Sequence, residues 1–193
     1  MKEKLTLRNV IIWTVALVGL ILFFCSFGAT ARLRGVVQGD YGDILFYNAV
    51  WGSQTMAGSA GGSYVAWSNV APVGNAFGII GVILLLLASG GLVAINFLLK
   101  NEKTAKILTF VCGGVILVAG ILLFFVGETP WYVLQENMKE EGMYMDITTI
   151  KNAYSGAKTS SSYGIGGGIV SILLAAGVVA SQFIPDVKFI KEK

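Results

Sequence analysis

Four long apolar stretches with no charge in their interiors constrain this chain more than any other feature. They cover residues 10–29, 75–99, 107–127 and 162–184. A helix that crosses a bilayer core needs about 20 apolar residues, and each stretch meets that length. Only 13% of the residues are charged, against about 25% in soluble domains. The sequence therefore predicts one membrane domain over residues 1–193, of the all-α transmembrane class, folded as a four-helix antiparallel bundle.

An internal repeat runs through these stretches. The decamers at 81–90 and 168–177 both begin and end in glycine. Leu-Leu-Ala occupies the same position in each, at 86–88 and at 173–175. A shorter pair, at 19–24 and 120–125, precedes them in the same order. Repeats of this kind indicate how a fold is assembled. Two interpretations stay open. Either one helical hairpin was duplicated, or the match arose by chance, because apolar helices are built from few residue types.

Two polar loops join the spans, at 30–74 and 128–161. The first mixes aromatic residues with Gly, Ser and Asp. Segments 43–51 and 63–67 have the composition of short strands, and the glycine-rich segment 58–62 is typical of a turn. We expect a small β-rich cap made by this loop. In the second loop, the charged segment 135–141 is either a helical extension of the third span or a solvated helix, and 155–162 reads as a flexible lead-in.

The placement of Lys and Arg predicts the orientation. Nine of the fourteen lie in the N-terminus, in the 100–106 connection and in the C-terminal tail, whereas the two longer loops hold five. Because cytoplasmic segments are enriched in Lys and Arg, we expect both termini to be cytoplasmic and both loops to be extracellular. The predicted location is the cell membrane, with four passes.

The N-terminal segment also fits a secretory signal. It has a basic start, an apolar core and the sequence Ala29-Thr30-Ala31, which suits a cleavage site. The apolar core is long for a signal, and the repeat needs this segment as the partner of the third span. We therefore expect it to be retained as the first helix.

Composition also limits the chemistry. The chain has no histidine, which excludes imidazole acid–base catalysis and the usual zinc ligand. Charged residues inside lipid usually mark ion paths or proton relays, and the four spans contain no Asp, Glu, Lys or Arg in their interiors. Asp40 and Asp43 come closest to an acid pair, but solvated turn residues explain them more simply. We predict that the protein is not an enzyme, uses no cofactor or metal and binds no nucleic acid.

Small residues and aromatic residues are the candidate contact positions. Glycines at spacings of three, four or seven residues let helices pack closely in lipid, either within the bundle or against a partner helix. The candidates are Gly74, Gly78, Gly81, Gly113, Gly120, Gly127, Gly164 and Gly168. In the loops, tryptophan is the residue most often found at binding hot spots. The candidates for external contact are Trp51, Trp67 and Trp131.

The layout resembles the claudin/PMP22-like tetraspan family. The shared features are four spans, internal termini, a first external loop of about 45 residues with short strands, a shorter second loop and a tight internal turn. Trp51-Gly52 matches a fragment of that family's first-loop motif, whereas the two loop cysteines of the family have no counterpart here. The resemblance implies a non-enzymatic protein that works through lateral or external contacts.

These observations lead to two functional hypotheses. The first is a non-catalytic scaffold or accessory subunit that acts through its extracellular loops and glycine-rich helix faces. Its expected partners are the lipid bilayer and either further copies of itself or another membrane protein. The alternative is a pore-forming or transporter subunit, in which several copies enclose a path lined by Gly, Ser and Thr.

Overall fold

The computed structural model describes residues 6–35, 41–52, 56–60, 63–67, 74–99, 101–140 and 142–184 of the 193-residue chain. For residues 41–43, 56–60 and 63–67 only the backbone is described. Asp40 lies outside the described residues, as does the side chain of Asp43.

Four helices are long and apolar enough to cross a membrane, judged by length and composition. They are α1 (Leu7–Cys25), α2 (Ala76–Leu98), α3 (Glu102–Leu123) and α6 (Ser162–Ser181). The prediction of a multi-pass membrane protein with a tetraspan layout is confirmed at this level. The first helix ends at Cys25, earlier than predicted, because a 3₁₀ turn, Ser26–Gly28, leads the chain into a sheet. The third begins at Glu102, earlier than predicted, because Asn101 caps it by accepting from the amides of Lys103 and Thr104.

Neighbouring helices of the bundle run in opposite directions. The ring of Trp13, near the start of α1, lies 5.0 Å from that of Phe97, near the end of α2. The phenol of Tyr163, at the start of α6, donates to the carbonyl of Leu22, near the end of α1, at 2.9 Å. The four helices form a closed ring in the order α1, α2, α3, α6. The beginning of α1, the α2–α3 connection and the end of α6 therefore meet at one end of the bundle.

The interior of the bundle is filled by aliphatic side chains from all four helices. Val15, Leu85, Leu92, Ile116 and Val178 belong to one buried cluster, and each is at most 4% exposed. In lipid, where no hydrophobic force draws helices together, such close packing is what holds them in place.

A five-stranded antiparallel sheet lies at the opposite end. Its strands are β1 (Thr30–Arg34), β2 (Tyr41–Tyr47), β3 (Met56–Ala60), β4 (Ser63–Trp67) and β5 (Lys158–Ser160), in the spatial order β4-β3-β2-β1-β5. Two predictions are corrected here. Segment 58–62 is not simply a turn, because residues 56–60 form the strand between β2 and β4. The cap does not come from the first loop alone, because β5, within the predicted flexible lead-in, pairs with β1.

Two further helices, α4 (Thr129–Glu140) and α5 (Ile147–Ala153), complete the cap. Their side chains pack against the sheet in a separate buried cluster, whose members include Leu33, Phe46, Trp131, Val133 and Ile150. For the charged segment 135–141, the structure shows a helical extension of the third span, which was one of the two interpretations. A 3₁₀ segment, Phe124–Glu128, joins α3 to α4, so that one helical element runs from Glu102 to Glu140.

The repeated decamers do not occupy equivalent positions. Gly168 in α6 packs against the helix before it, α3, where its neighbours include Phe124 and the carbonyl of Gly120. Exact duplication would place Gly81 against α1. Gly81 packs instead against α3, next to Ala119 and Leu122. The shorter repeated pair does match, because Gly19 in α1 lies against Leu85 of α2 and Gly120 in α3 lies against Ile172 of α6. Both interpretations of the repeat therefore stay open.

The alanines of the predicted cleavage site lie inside this fold. Ala29 is 2% exposed, and Ala31, in β1, is completely buried. The preceding helix α1 packs against α2 and α6.

Candidate functional site

Buried polar side chains hold the cap on the bundle, and Asn75 is the first of them. It is completely buried at the start of α2, where its Oδ1 accepts from the Gly78 amide at 2.8 Å. Its Nδ2 donates to the carbonyl of Phe125 at 2.7 Å and to Thr129 Oγ1 at 3.2 Å. One side chain therefore caps α2 and bonds to the junction of α3 and α4.

Thr129 and Ser161 continue the attachment. Thr129 Oγ1 is buried and lies 2.8 Å from the carbonyl of Ala49 and 2.9 Å from that of Val126, so that its proton can be donated to either. Ser161 caps α6 by accepting from the Gly164 amide, and its hydroxyl donates to the carbonyl of Thr30 at 2.7 Å. We refer to Asn75, Thr129 and Ser161 as the polar junction. Since a buried polar group without a partner is costly, these bonds fix the cap in one orientation.

Trp51 lies where the first loop returns to the bundle. Its Nε1 donates to Ser26 Oγ at 2.8 Å. Its ring stacks on Phe27, with centroids 5.2 Å apart and planes 8° apart. Phe27 is 54% exposed and Trp51 is partly buried. The pair therefore forms an amphipathic aromatic surface at the boundary between helix and cap, a position suited to the membrane interface.

The other two predicted contact tryptophans are placed differently. Trp131 is only 4% exposed and belongs to the core of the cap, with Lys151 Nζ 6.0 Å from its ring centroid. It therefore cannot offer its ring to an external partner. Trp67 lies in β4, with its backbone paired to Met56. Its side chain lies outside the described part of the structure.

The eight predicted glycines lie against segments of the same chain. A β-carbon added at any of them would meet its own protein within 3.6 Å: these are Gly74, Gly78, Gly81, Gly113, Gly120, Gly127, Gly164 and Gly168. At Gly164 that atom would lie 2.8 Å from the carbonyl oxygen of Leu123, and at Gly120 it would lie 2.9 Å from Ser171 Cβ. Their small size is therefore used inside the bundle, which leaves no room for a partner helix at these positions.

Three helical glycines that the sequence spacing did not single out face outward. A β-carbon at Gly90, Gly114 or Gly166 would meet nothing within 4 Å, and all three positions are exposed. They lie on α2, α3 and α6 respectively. Small residues on an outward helix face allow close approach of another helix. These glycines differ from the packed ones because they lie on the exposed side of each helix. The spacing of glycines in the sequence does not reveal which side a glycine is on.

Large apolar side chains cover the rest of the bundle's outer surface. The most exposed examples on the four helices include Leu17, Phe24, Leu87, Ile107 and Leu173, each at least 60% exposed. Aliphatic and aromatic exposure on this scale is unfavourable in water. It suits a surface that faces lipid or another apolar helix.

Among the described residues of the cap, exposed lysines form ion pairs with glutamates. Lys151 pairs with Glu128 and Lys139 with Glu136, and all four side chains are substantially exposed. Asp146 caps α5, and the bond from the Thr149 amide lowers the pKa of its carboxyl. The register of the sheet places Arg34 opposite Asp43. Within the described residues there is no group of three or more Cys, Asp or Glu side chains able to hold a metal ion.

Comparison with protein-family models and with curated proteins finds no match to this sequence. The tetraspan layout therefore depends on the four apolar helices themselves.

Proposed function

We propose that this protein is a non-catalytic membrane scaffold or accessory subunit that acts through its cap and its outward helix faces. The observation that carries the proposal is the attachment of the cap by the polar junction. Asn75 bonds the start of α2 to Thr129, Thr129 bonds the start of α4 to the carbonyl of Ala49, and Ser161 bonds the start of α6 to the carbonyl of Thr30. Such an attachment supports a contact function, because a surface held in one orientation loses little conformational entropy when a partner binds.

The outward glycines indicate where lateral contacts would form. Gly90, Gly114 and Gly166 lie among large exposed apolar side chains on three helices, such as Leu87 on α2 and Leu117 on α3. We infer that further copies of the chain, or another membrane protein, approach at one or more of these glycines. These three glycines take the place of the eight that sequence spacing singled out as possible partner contacts, because those eight lie against other segments of the same chain.

The finer assignments belong to the same proposal. The cell membrane as location, cytoplasmic termini and a claudin/PMP22-like relationship rest on the charge distribution and the layout. The competing proposal is a pore-forming or transporter subunit. The aliphatic core formed by Val15, Leu85, Leu92, Ile116 and Val178 fills the centre of the bundle, so a polar path would have to lie between copies, as the competing proposal requires.

The test is the assembly state of the full chain in lipid nanodiscs or a mild detergent, measured by cross-linking and light scattering. We expect a defined oligomer or a co-purifying membrane protein. Single variants Gly90→Leu, Gly114→Leu and Gly166→Leu each add bulk on a different outward face without a clash inside the chain. At least one should dissociate the assembly, while the others serve as matched controls. A monomer with no bound protein, or an assembly that survives all three variants, would contradict the proposal.

Liposome flux assays separate the competing proposal. Common ions and small solutes should not cross membranes that contain the protein if it is a scaffold. Saturable flux through the purified protein would favour the pore or transporter.

A further inference from the structure

The end of the bundle opposite the cap contains a cavity of about 490 Å³. It opens between the start of α1, the first turns of α3 and the residues that follow α6. This volume lies in the range of sites that accept small ligands or headgroups. The cavity is separate from the polar junction, which lies at the other end of the helices.

Positive side chains dominate the cavity. Arg8 comes from α1, and Lys103 and Lys106 come from the start of α3, where their spacing of three residues places them on one side of the helix. Glu102 is the one carboxylate among the described lining residues, which gives the lining a net charge of +2. In the described part of the chain neither lysine ammonium lies within salt-bridge distance of a carboxylate. Like charges held together in this way repel one another, and an anion would relieve the repulsion.

Arg8 is held in place by a buried partner. Its Nη2 donates to Gln182 Oε1 at 2.9 Å, and Gln182 is only 7% exposed. The amide of Gln182 donates in turn to Ser181 Oγ at 2.9 Å, and that hydroxyl donates to the carbonyl of Val178 at 2.6 Å. A guanidinium has five N–H donors, so an arginine oriented by one bond still offers donors in the planar arrangement that matches a phosphate.

The cavity also has an apolar rim. Phe183, which contributes to the lining, is 77% exposed. Its ring lies 6.3 Å from that of Phe110, one helical turn beyond Lys106 on α3. The cations therefore lie next to aromatic surface at the end of helices whose outer faces are apolar. A ligand that joins a phosphate to hydrocarbon chains matches both parts of this surface.

We propose that this cavity binds the phosphate headgroup of an anionic phospholipid, with its acyl chains against Phe183 and Phe110. Arg8, Lys103 and Lys106 contact the phosphate oxygens, and the Glu102 carboxylate in the same lining reduces the net positive charge. The lipid comes from the leaflet at this end of the bundle, which the Lys and Arg distribution assigns to the cytoplasm. Basic pockets between membrane helices on that side are suited to such headgroups.

The experiment is a binding titration of the purified full chain in a neutral detergent, followed by native mass spectrometry or calorimetry. The probes are dihexanoyl-phosphatidylglycerol, dihexanoyl-phosphatidylcholine and inorganic phosphate. We expect the anionic lipid to bind on the order of tenfold more tightly than either of the others. Its affinity should fall with added salt.

Paired variants locate the site. The double variant Lys103→Gln with Lys106→Gln should bind the anionic lipid on the order of tenfold more weakly. Both side chains are exposed, so the unfolding temperature without lipid should not change. Lys139→Gln with Lys158→Gln removes the same charge at the cap and should leave binding unchanged. Equal binding of the two lipids, equal binding of inorganic phosphate, or equal losses in the two double variants would overturn the proposal.

Discussion

Asn75 Nδ2 lies 3.2 Å from Thr129 Oγ1, and both side chains are completely buried although 54 residues separate them in the chain. The pair joins the first turn of α2 to the first turn of α4, next to the carbonyl of Ala49. It lies where the apolar helices end and the cap begins.

The first prediction concerns Asn75. Asn75→Ala removes the cap of α2 and leaves the Phe125 carbonyl without that donor, so we expect the free energy of unfolding in mild detergent to fall by about 3 kcal/mol. Asn101→Ala is the matched control, because Asn101 caps α3 at an exposed site and bonds only to the amides of its own helix. Its cost should be about 1 kcal/mol. Equal losses in the two variants would show that the long-range bonds of Asn75 contribute nothing.

The second concerns two glycines on the same helix. Gly120→Ala places a methyl group 2.9 Å from Ser171 Cβ and 3.0 Å from the Gly168 carbonyl oxygen, so α3 and α6 must separate. We expect a loss of about 1–3 kcal/mol in stability. Gly114→Ala, six residues earlier, meets nothing within 4 Å and should be neutral or stabilising by up to about 1 kcal/mol. Unfolding in detergent measures both, and a Gly120→Ala protein as stable as the parent would contradict the close helix approach.

The third concerns pH. The bond from the Thr149 amide lowers the pKa of Asp146 in the folded protein. Its capping contribution to α5 is therefore fully present above the unfolded pKa, about 3.9, and is lost as the pH falls through the lower folded value. The Thr149 amide chemical shift should titrate with a midpoint below that of a free aspartate. Asp146→Asn, which keeps a capping oxygen, should abolish this titration without releasing α5.

The fourth concerns orientation. In a variant without native cysteines (Cys25→Ser and Cys112→Ala), Lys103→Cys should resist a membrane-impermeant maleimide in intact cells. Ser155→Cys, an exposed position between α5 and β5, should react readily. Lysis should make the first position react as well. The reverse pattern would place the termini outside and would contradict the charge-based orientation.

The four apolar helices were predictable from the sequence because a long apolar run can be recognised without knowing its distant partners. The short helix α5 (Ile147–Ala153) was not predicted. The cap was predictable only in part. β3 contains glycine and serine and has weak strand propensity, so its assignment depends on lying between β2 and β4. β5 is three residues long and exists because β1 offers an edge. Sequence alone cannot locate a strand that a distant partner defines.

Part of the polar junction could have been predicted from the sequence. Asn75 and Ser161 directly precede apolar helices, which is the usual position of a capping residue. Capping rules would have identified them, but not their bonds to Thr129 or to the Thr30 carbonyl, since these depend on tertiary structure. For the glycines, the sequence identified the residues but not their roles. Spacing marked the small residues, but only the packing of the helices separates Gly120, which is enclosed, from Gly114, which faces outward.

The unbroken helical element from Glu102 to Glu140 has a mechanical consequence. At about 1.5 Å per residue its 39 residues correspond to a path of roughly 58 Å along the helix axis, nearly twice the thickness of a bilayer's hydrocarbon core. Its one departure from α-helical geometry, Phe124–Glu128, is clamped by the bonds of Asn75 and Thr129. The junction between the membrane helix α3 and the cap helix α4 is therefore held by hydrogen bonds, including those from Asn75 at the start of α2, and is not a free hinge.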